Sequence, residues 1–260
     1  MEKDRSKRPV STNSSLDKAF AILEFLAQRN SGQSVPNISR MLKFNKSTTY
    51  NILKTLEYHS YVVKHSDGSY GLTSKLLELG SKFSLSNPAS RVFDLCSAPV
   101  RSRFPSCNVS LATFGSFYNG TYLSVLGENS MYFSVGSTFP LYATASGKVL
   151  LAYSSSSYRS NFWENATLTK FTDSVITKKA ALEEQLEEIR KVGYYFLEGE
   201  LYANLYCVAV PVFLENQKII ASASICGPKV FIKTNFEDIK DETIGLGLRI
   251  SEALGYTRQR

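Results

Sequence analysis

The sequence predicts an α+β protein in two parts: a winged helix-turn-helix head and a larger mixed domain with a largely antiparallel sheet. Three observations predict it. Residues 14–58 carry three helix-period segments separated by short polar turns, and a hairpin signal, Asp67-Gly68, follows them. Beyond residue 88, strand-like and helix-like runs mix without regular βα alternation. Positive charge is concentrated at the front. Residues 1–83 hold 13 Lys/Arg and 7 Asp/Glu, a net +6, whereas residues 84–260 hold 17 and 16, a net +1. That asymmetry points to a polyanion as partner of the first part alone.

Residues 1–13 are polar and expected to be a mobile tail. The head proper is placed at 14–73. Its first helix has Ser14 or Ser15 as cap and Asp17 in the first turn, where a negative charge is favoured. Leu16, Ala19, Phe20, Leu23, Leu26 and Ala27 repeat at helical spacing, and "NSGQS" ends it. A short second helix, "VPNISRML", is capped by Ser34 and carries Pro36 in its first turn. A tight connection, "KFN", leads into the third helix, which is the helix-turn-helix pattern. The third helix sorts its residues. Thr49, Ile52, Leu53 and Leu56 fall on one flank and can bury. Lys46, Ser47, Tyr50, Asn51 and Lys54 fall on another and offer cations, a hydroxyl, a phenol and an amide to phosphates and base edges. Residues 61–65 and 70–72 flank the Asp67-Gly68 turn and make the wing, with Lys64 and His65 near its tip.

A helix at 74–87, with Leu76, Leu77, Leu79 and Phe83, is read as the linker, and residues 88–260 as the second domain. Asn87 and Pro88 start that domain's first helix and Pro99 limits or kinks it. Strands are expected at 109–114, 121–126, 131–135, 194–197, 207–213 and 219–225. Helices are expected from about 145, from 177 to the glycine at 193, and from 236 to 254. The four serines at 154–157 read as a polar break, and Gly245 and Gly247 as weak points of the last helix.

Several classes are excluded or disfavoured. No apolar run is long enough to span a bilayer, and the N-terminus has no signal-peptide h-region, so the expected location is cytoplasmic with no membrane partner. Cys96, Cys107, Cys207 and Cys226 form no C-x-x-C pair and have no nearby histidine; they are expected to be buried, reduced thiols, with no metal. Both histidines, His59 and His65, lie in the head. Residues 84–260 therefore lack the base that a Cys or Ser hydrolase needs, and no G-x-S-x-G or phosphate loop occurs. An enzyme is not expected.

The chain resembles the IclR family of bacterial transcriptional regulators over nearly its whole length. "SLDKAFAILEFLA", "KSTTYNILKTLEYHSYV" and "DGSYGLTSKLLELG" are similar to the family's winged-helix signatures. "FPLYATASGKVLLA", "GYYFLEGE", "CVAVPVF" and "SICGP" follow in the order and spacing of its effector-domain signatures. The resemblance implies a linker helix and a GAF-like C-terminal domain, a homodimer or homotetramer on a palindromic operator in double-stranded DNA, and a small organic acid as effector; it implies no cofactor. Repression is the default sign. Lys46, Ser47, Thr48, Tyr50, Asn51 and Lys54 match the recognition helix. Ser47 and Thr48 are expected at phosphates, Asn51 at adenine and Lys54 at guanine.

The same resemblance places the effector near Ala145 and Ser146, Leu205 and Cys207, and Ser224 and Cys226. Four residues or segments depart from the family pattern. Tyr142 replaces a histidine, Leu197 an acidic residue, "YAN" at 202–204 replaces "EPG", and Cys226 replaces a serine. With Tyr195, Tyr202 and Tyr206 expected nearby, the effector should be bulkier or more apolar than a short keto acid, an aromatic acid among the candidates. The competing readings are a winged-helix assembly protein that contacts proteins without an effector and, less favoured, a Cys/Ser hydrolase.

Overall fold

The structure is a computed structural model that describes residues 12–115, 118–127 and 133–257. The chain divides into two compact units, Met1–Phe83 and Ser84–Arg260.

The first unit contains α1 (Ser14–Ala27), α2 (Val35–Leu42), α3 (Lys46–Tyr58) and a hairpin of β1 (Val62–Lys64) and β2 (Tyr70–Leu72). Asn13, not Ser14 or Ser15, caps α1: its Oδ1 accepts from the N–H groups of Ser15 and Leu16 at 3.1 and 3.2 Å. The two serines already lie inside the first turn. The expected tail thus ends in an ordered cap, and residues 1–11 lie outside the described residues. Ser34 caps α2 through the N–H of Asn37. Lys43, at φ 57°, turns the chain between α2 and α3. Ile22, Phe25, Leu26, Ile38, Leu53, Leu56, Val62 and Tyr70 form one core. Each such side chain contributes roughly 1.5–3 kcal/mol on burial. The wing closes at Gly68, φ 82°, where only glycine sits without strain. The Asp67 carboxylate accepts from the N–H and Oγ of Ser69, which holds its pKa below the usual carboxylate value.

Helix α4 (Lys75–Ser86) carries the chain onward, with no buried residue and with Glu78 paired to Lys75 and Lys82. Among the described residues the second unit is built on six antiparallel strands, β3 (Asn108–Phe114), β4 (Asn119–Leu126), β5 (Thr138–Pro140), β6 (Tyr195–Glu198), β7 (Leu205–Phe213) and β8 (Ile219–Pro228), in the order β5-β4-β3-β8-β7-β6. Helices α5 (Pro88–Arg103) and α10 (Phe236–Ala253) cover one face. Helices α6 (Ala145–Ala152), α7 (Ser156–Asn165) and α8 (Lys179–Val192) belong with the core on the other, and the short α9 (Lys229–Thr234) follows β8. Strand β7 shows the period of two: Leu205, Cys207 and Ala209 pack in the α6 core, while Tyr206, Val208 and Val210 pack in the α10 core.

Several expectations change. No strand forms at 133–135, and residues 131 and 132 lie outside the described residues; the strand that pairs with β4 is β5, seated by Phe139 against Gly120. The serine run marks the break between α6 and α7 as expected, at residues 153–155, and Ser155 also caps α7, its Oγ accepting from the N–H of Tyr158 at 3.2 Å. Helix α9 was not expected. Helix α8 starts at Lys179 and not at Thr177, and ends at Gly193, φ 83°. Gly247 is a contact residue of α10, since a Cβ there would meet Val210 Cγ2 at 2.6 Å.

Candidate functional site

The face of α3 separates as its spacing predicts. Thr49, Leu53 and Leu56 are buried and Ile52 is half-buried; Lys46, Ser47, Tyr50, Asn51 and Lys54 are exposed and Thr48 is half-buried. Asn45 caps the helix and accepts from both the N–H and the Oγ of Ser47 at 3.1 Å. The Ser47 hydroxyl is thus held at the helix start, where backbone amides favour anions. Lys54 donates to Glu57 at 2.9 Å, a hydrogen bond that raises its pKa. Such a water-screened pair gives way readily to a stronger acceptor. On the wing, Lys64 and His65 are exposed, but the His65 ring lies along the hairpin. A Cβ on Gly71 would meet its Nε2 at 2.8 Å.

The second unit holds a cavity at the start of α6. It is lined by Tyr122, Phe133, Ala143, Thr144, Ala145, Ser146, Leu197, Leu201, Leu205, Cys207 and Cys226. Its empty volume is about 270 Å³, but its free interior is no larger than a water molecule needs. A ligand larger than water must therefore dilate it. Among the described residues the wall carries no charged side chain. Its polar feature is the start of α6, where Thr144 caps the N–H of Gly147 at 3.1 Å.

Of the expected pocket residues, Ala145, Ser146, Leu205, Cys207 and Cys226 line the cavity and Ser224 does not. Ser224 is buried one bond behind: Ser146 Oγ donates to its hydroxyl at 3.2 Å, and Ser110 shares it at 2.7 Å. The aromatic wall is Tyr122 and Phe133, not the tyrosines expected. Tyr206 faces the opposite side of the sheet, and the parity of β7 would have shown this from Cys207 alone. Tyr202 is off the wall; burial raises the Tyr122 phenol first, and the charge of a neighbouring Tyr202 phenolate adds to that rise. Tyr142 turns its hydroxyl away, accepting from Thr169 N–H at 2.6 Å and donating to Thr169 O at 3.0 Å.

Two features were not foreseen. Lys148, fully buried on α6, donates to both carboxylate oxygens of buried Glu200 and to Tyr195 Oη, at 2.6 Å for Glu200 Oε1 and 3.2 Å for Tyr195. Burial lowers the ammonium's pKa, opposed by the Glu200 charge. Thr172 donates to the carbonyls of Gly199 and Glu200, so the segment bearing Leu201 is tied to its surroundings at Glu200. The expectation of four reduced thiols fails: Cys207 and Cys226 are disulfide-bonded, while Cys96 and Cys107 are free. The two are 19 residues apart, and only the register of β7 and β8 sets them opposite each other.

Among the described residues no cluster of His, Cys, Asp or Glu could hold a metal, and no helix is long and apolar enough to cross a membrane.

Comparison with known proteins bears on both sites. Residues 15–66 match the IclR helix-turn-helix domain, and residues 124–249 match the domain described as bacterial transcriptional regulator IclR C-terminal. The chain is 30% identical to the HTH-type transcriptional regulator KdgR of Escherichia coli, over 97% of each protein. The crystal structure of the Thermotoga maritima IclR superposes with a TM-score of 0.76 at 29% identity, over 93% of this chain and 99% of that one. An IclR homolog from Microbacterium hydrocarbonoxydans, solved in complex with 4-hydroxybenzoate, shares the fold with a TM-score of 0.77 at 22% identity, over 92% of this chain and all of that one. These are regulators and not enzymes, and with its two-part fold, both family domains matched and 97% of its length aligned with KdgR, this chain belongs to the IclR family of DNA-binding transcriptional regulators.

Proposed function

We propose that the chain is a sequence-specific regulator, a repressor by default, whose operator affinity is set by an organic acid bound in the second unit. The observation that carries the DNA half is the exposed face of α3, with cations, an amide and a phenol on a helix held from behind by Thr49, Leu53 and Leu56. In this reading Ser47 and Thr48 meet phosphates, Tyr50, Asn51 and Lys54 meet base edges, and Lys46 and Lys64 add backbone contacts. His65 takes a lesser part because its ring lies on the hairpin. The regulator works in the cytoplasm as a homodimer or homotetramer on a palindromic operator.

The effector sits in the cavity, its carboxylate at the start of α6 near Ala145 and Ser146 and its body against Tyr122, Phe133, Leu205 and the two cysteines. Ser224 acts through Ser146. An aromatic acid suits this wall, and the Microbacterium homolog's 4-hydroxybenzoate is the first to try.

Genomic fragments selected by the purified protein supply the operator. Its affinity should fall with salt by about 0.9 log units per phosphate contact per tenfold rise in concentration. Affinity should also shift on titration with 4-hydroxybenzoate and related aromatic carboxylates. A flat salt response would favour a protein-contacting winged helix, and an operator affinity indifferent to every acid tried would count against the effector half.

A further inference from the structure

The Cys207–Cys226 disulfide forms part of the cavity wall. The two residues sit directly opposite each other on β7 and β8, with Cα atoms 4.1 Å apart, and both line the cavity. Three points bear on its purpose. The β7–β8 ladder already runs from Leu205↔Pro228 to Phe213↔Ile219, so the bond is not needed to align the strands. A protein acting on DNA works where thiols are kept reduced, and disulfides in such proteins are usually transient or redox-sensing. The cavity is close to water in size, so hydrogen peroxide needs less dilation to enter than an organic acid does, and the start of α6, whose backbone amides favour anions, lines the same space.

We propose that Cys207 and Cys226 make this pocket a sensor of small hydroperoxides, through a reversible dithiol–disulfide couple set in its wall. A thiolate attacks the near oxygen of hydrogen peroxide and the O–O bond breaks. This leaves a sulfenic acid, and the departing hydroxide takes up the proton as water. The facing thiol attacks that sulfur, the S–O bond breaks and a second water leaves. Two thiols and one peroxide thus become a disulfide and two waters. A dithiol reductant reverses the state by exchange, becoming a disulfide itself. In the reduced form the two sulfurs cannot stay at bonding distance, so one side chain turns or the strands part, and the cavity changes shape. Redox state then tunes the pocket that the proposed function assigns to the effector, and the DNA readout rests on that reading. Cys107 takes no part: it packs in the other core, with α5 and α10, outside the cavity wall, and burial pushes its thiol up to about 12.

The test uses the full chain, reduced with dithiothreitol and then given equimolar hydrogen peroxide. Alkylation with N-ethylmaleimide in denaturant, read by mass spectrometry, should count four thiols before peroxide and two after, with a peptide pair joined through Cys207 and Cys226. Operator affinity should differ at least about 5-fold between the two forms, the low end of ordinary allosteric coupling. Cys226→Ser should abolish the difference. A bond that dithiothreitol does not open, four thiols surviving peroxide, or two wild-type forms that bind operator equally would overturn the proposal. If neither form binds DNA, the regulator reading fails instead. The sensor is then judged by amide hydrogen exchange over residues 205–208 and 224–227, which must differ between the forms if it stands.

Discussion

Replacing Lys148 by methionine tests how the cavity is held. Lys148 is 0% exposed and Glu200 3%. The ammonium is the carboxylate's principal partner, and Tyr195 Oη, which donates to Glu200 Oε1 at 2.6 Å and accepts from Gln185 at 2.7 Å, is the other. In Lys148→Met the apolar stem is conserved and the charge is lost, which leaves a buried carboxylate with one hydroxyl donor. Breaking a buried pair in this way costs about 3–5 kcal/mol. For a unit of this size each kcal/mol moves the midpoint by about 2–4 °C, so Tm should fall by about 6–20 °C. Removing both charges with Lys148→Met/Glu200→Leu should recover most of that loss, since an apolar replacement of a buried pair is often neutral or better. The fluorescence of Trp163, the chain's one tryptophan, reports the second unit by itself, because Trp163 packs against the core that contains α6. A fall below about 3 °C in the single variant would refute the reasoning, as would a double variant no more stable than the single one.

Other outcomes follow from the same geometry. Asn51→Ala should weaken operator binding and cost about 1–3 kcal/mol of discrimination at one base pair, and Lys54→Ala should weaken it too, both with unchanged melting; wild-type affinity in both would mean that α3 is not the reading face. Gly147→Ala should destabilise the second unit by about 1–3 kcal/mol or more in a urea melt, because its Cβ would meet the Leu141 carbonyl at 2.2 Å, backbone that cannot swing aside. Burial raises the phenols of Tyr122 and Tyr158, the latter to about 12. Above pH 10 the unfolded chain holds fewer protons at these groups than the folded one, so stability is full below 10 and falls as pH rises toward 12. The Trp163 melting midpoint should therefore drop between pH 10 and pH 12, and an unchanged midpoint would contradict the burial of both.

Much of the first unit was legible because its signals are local. The stripe of α3 needs only the helical period, and the wing needs only that Asp67-Gly68 sits between β-formers. Where local reading slipped, as at the α1 cap, the competing residue lay one or two positions away. The pocket was legible through its motifs and not its shape. Ala145, Ser146, Leu205, Cys207 and Cys226 reach the wall, but Tyr122 and Phe133 come from β4 and the stretch before β5, regions whose pairing the sequence did not disclose.

The sequence alone determined the two-part fold class, the exposed polar face of α3 and the near-neutral second domain, since periodicity, capping and charge act within a few residues of chain. Tertiary structure alone decided which side chains meet across it. It set Cys207 against Cys226, and it brought Lys148 to Glu200 across 52 positions. Such pairings depend on strand order and register, in which one residue of slip turns every side chain to the other face, and no short stretch of sequence carries that information.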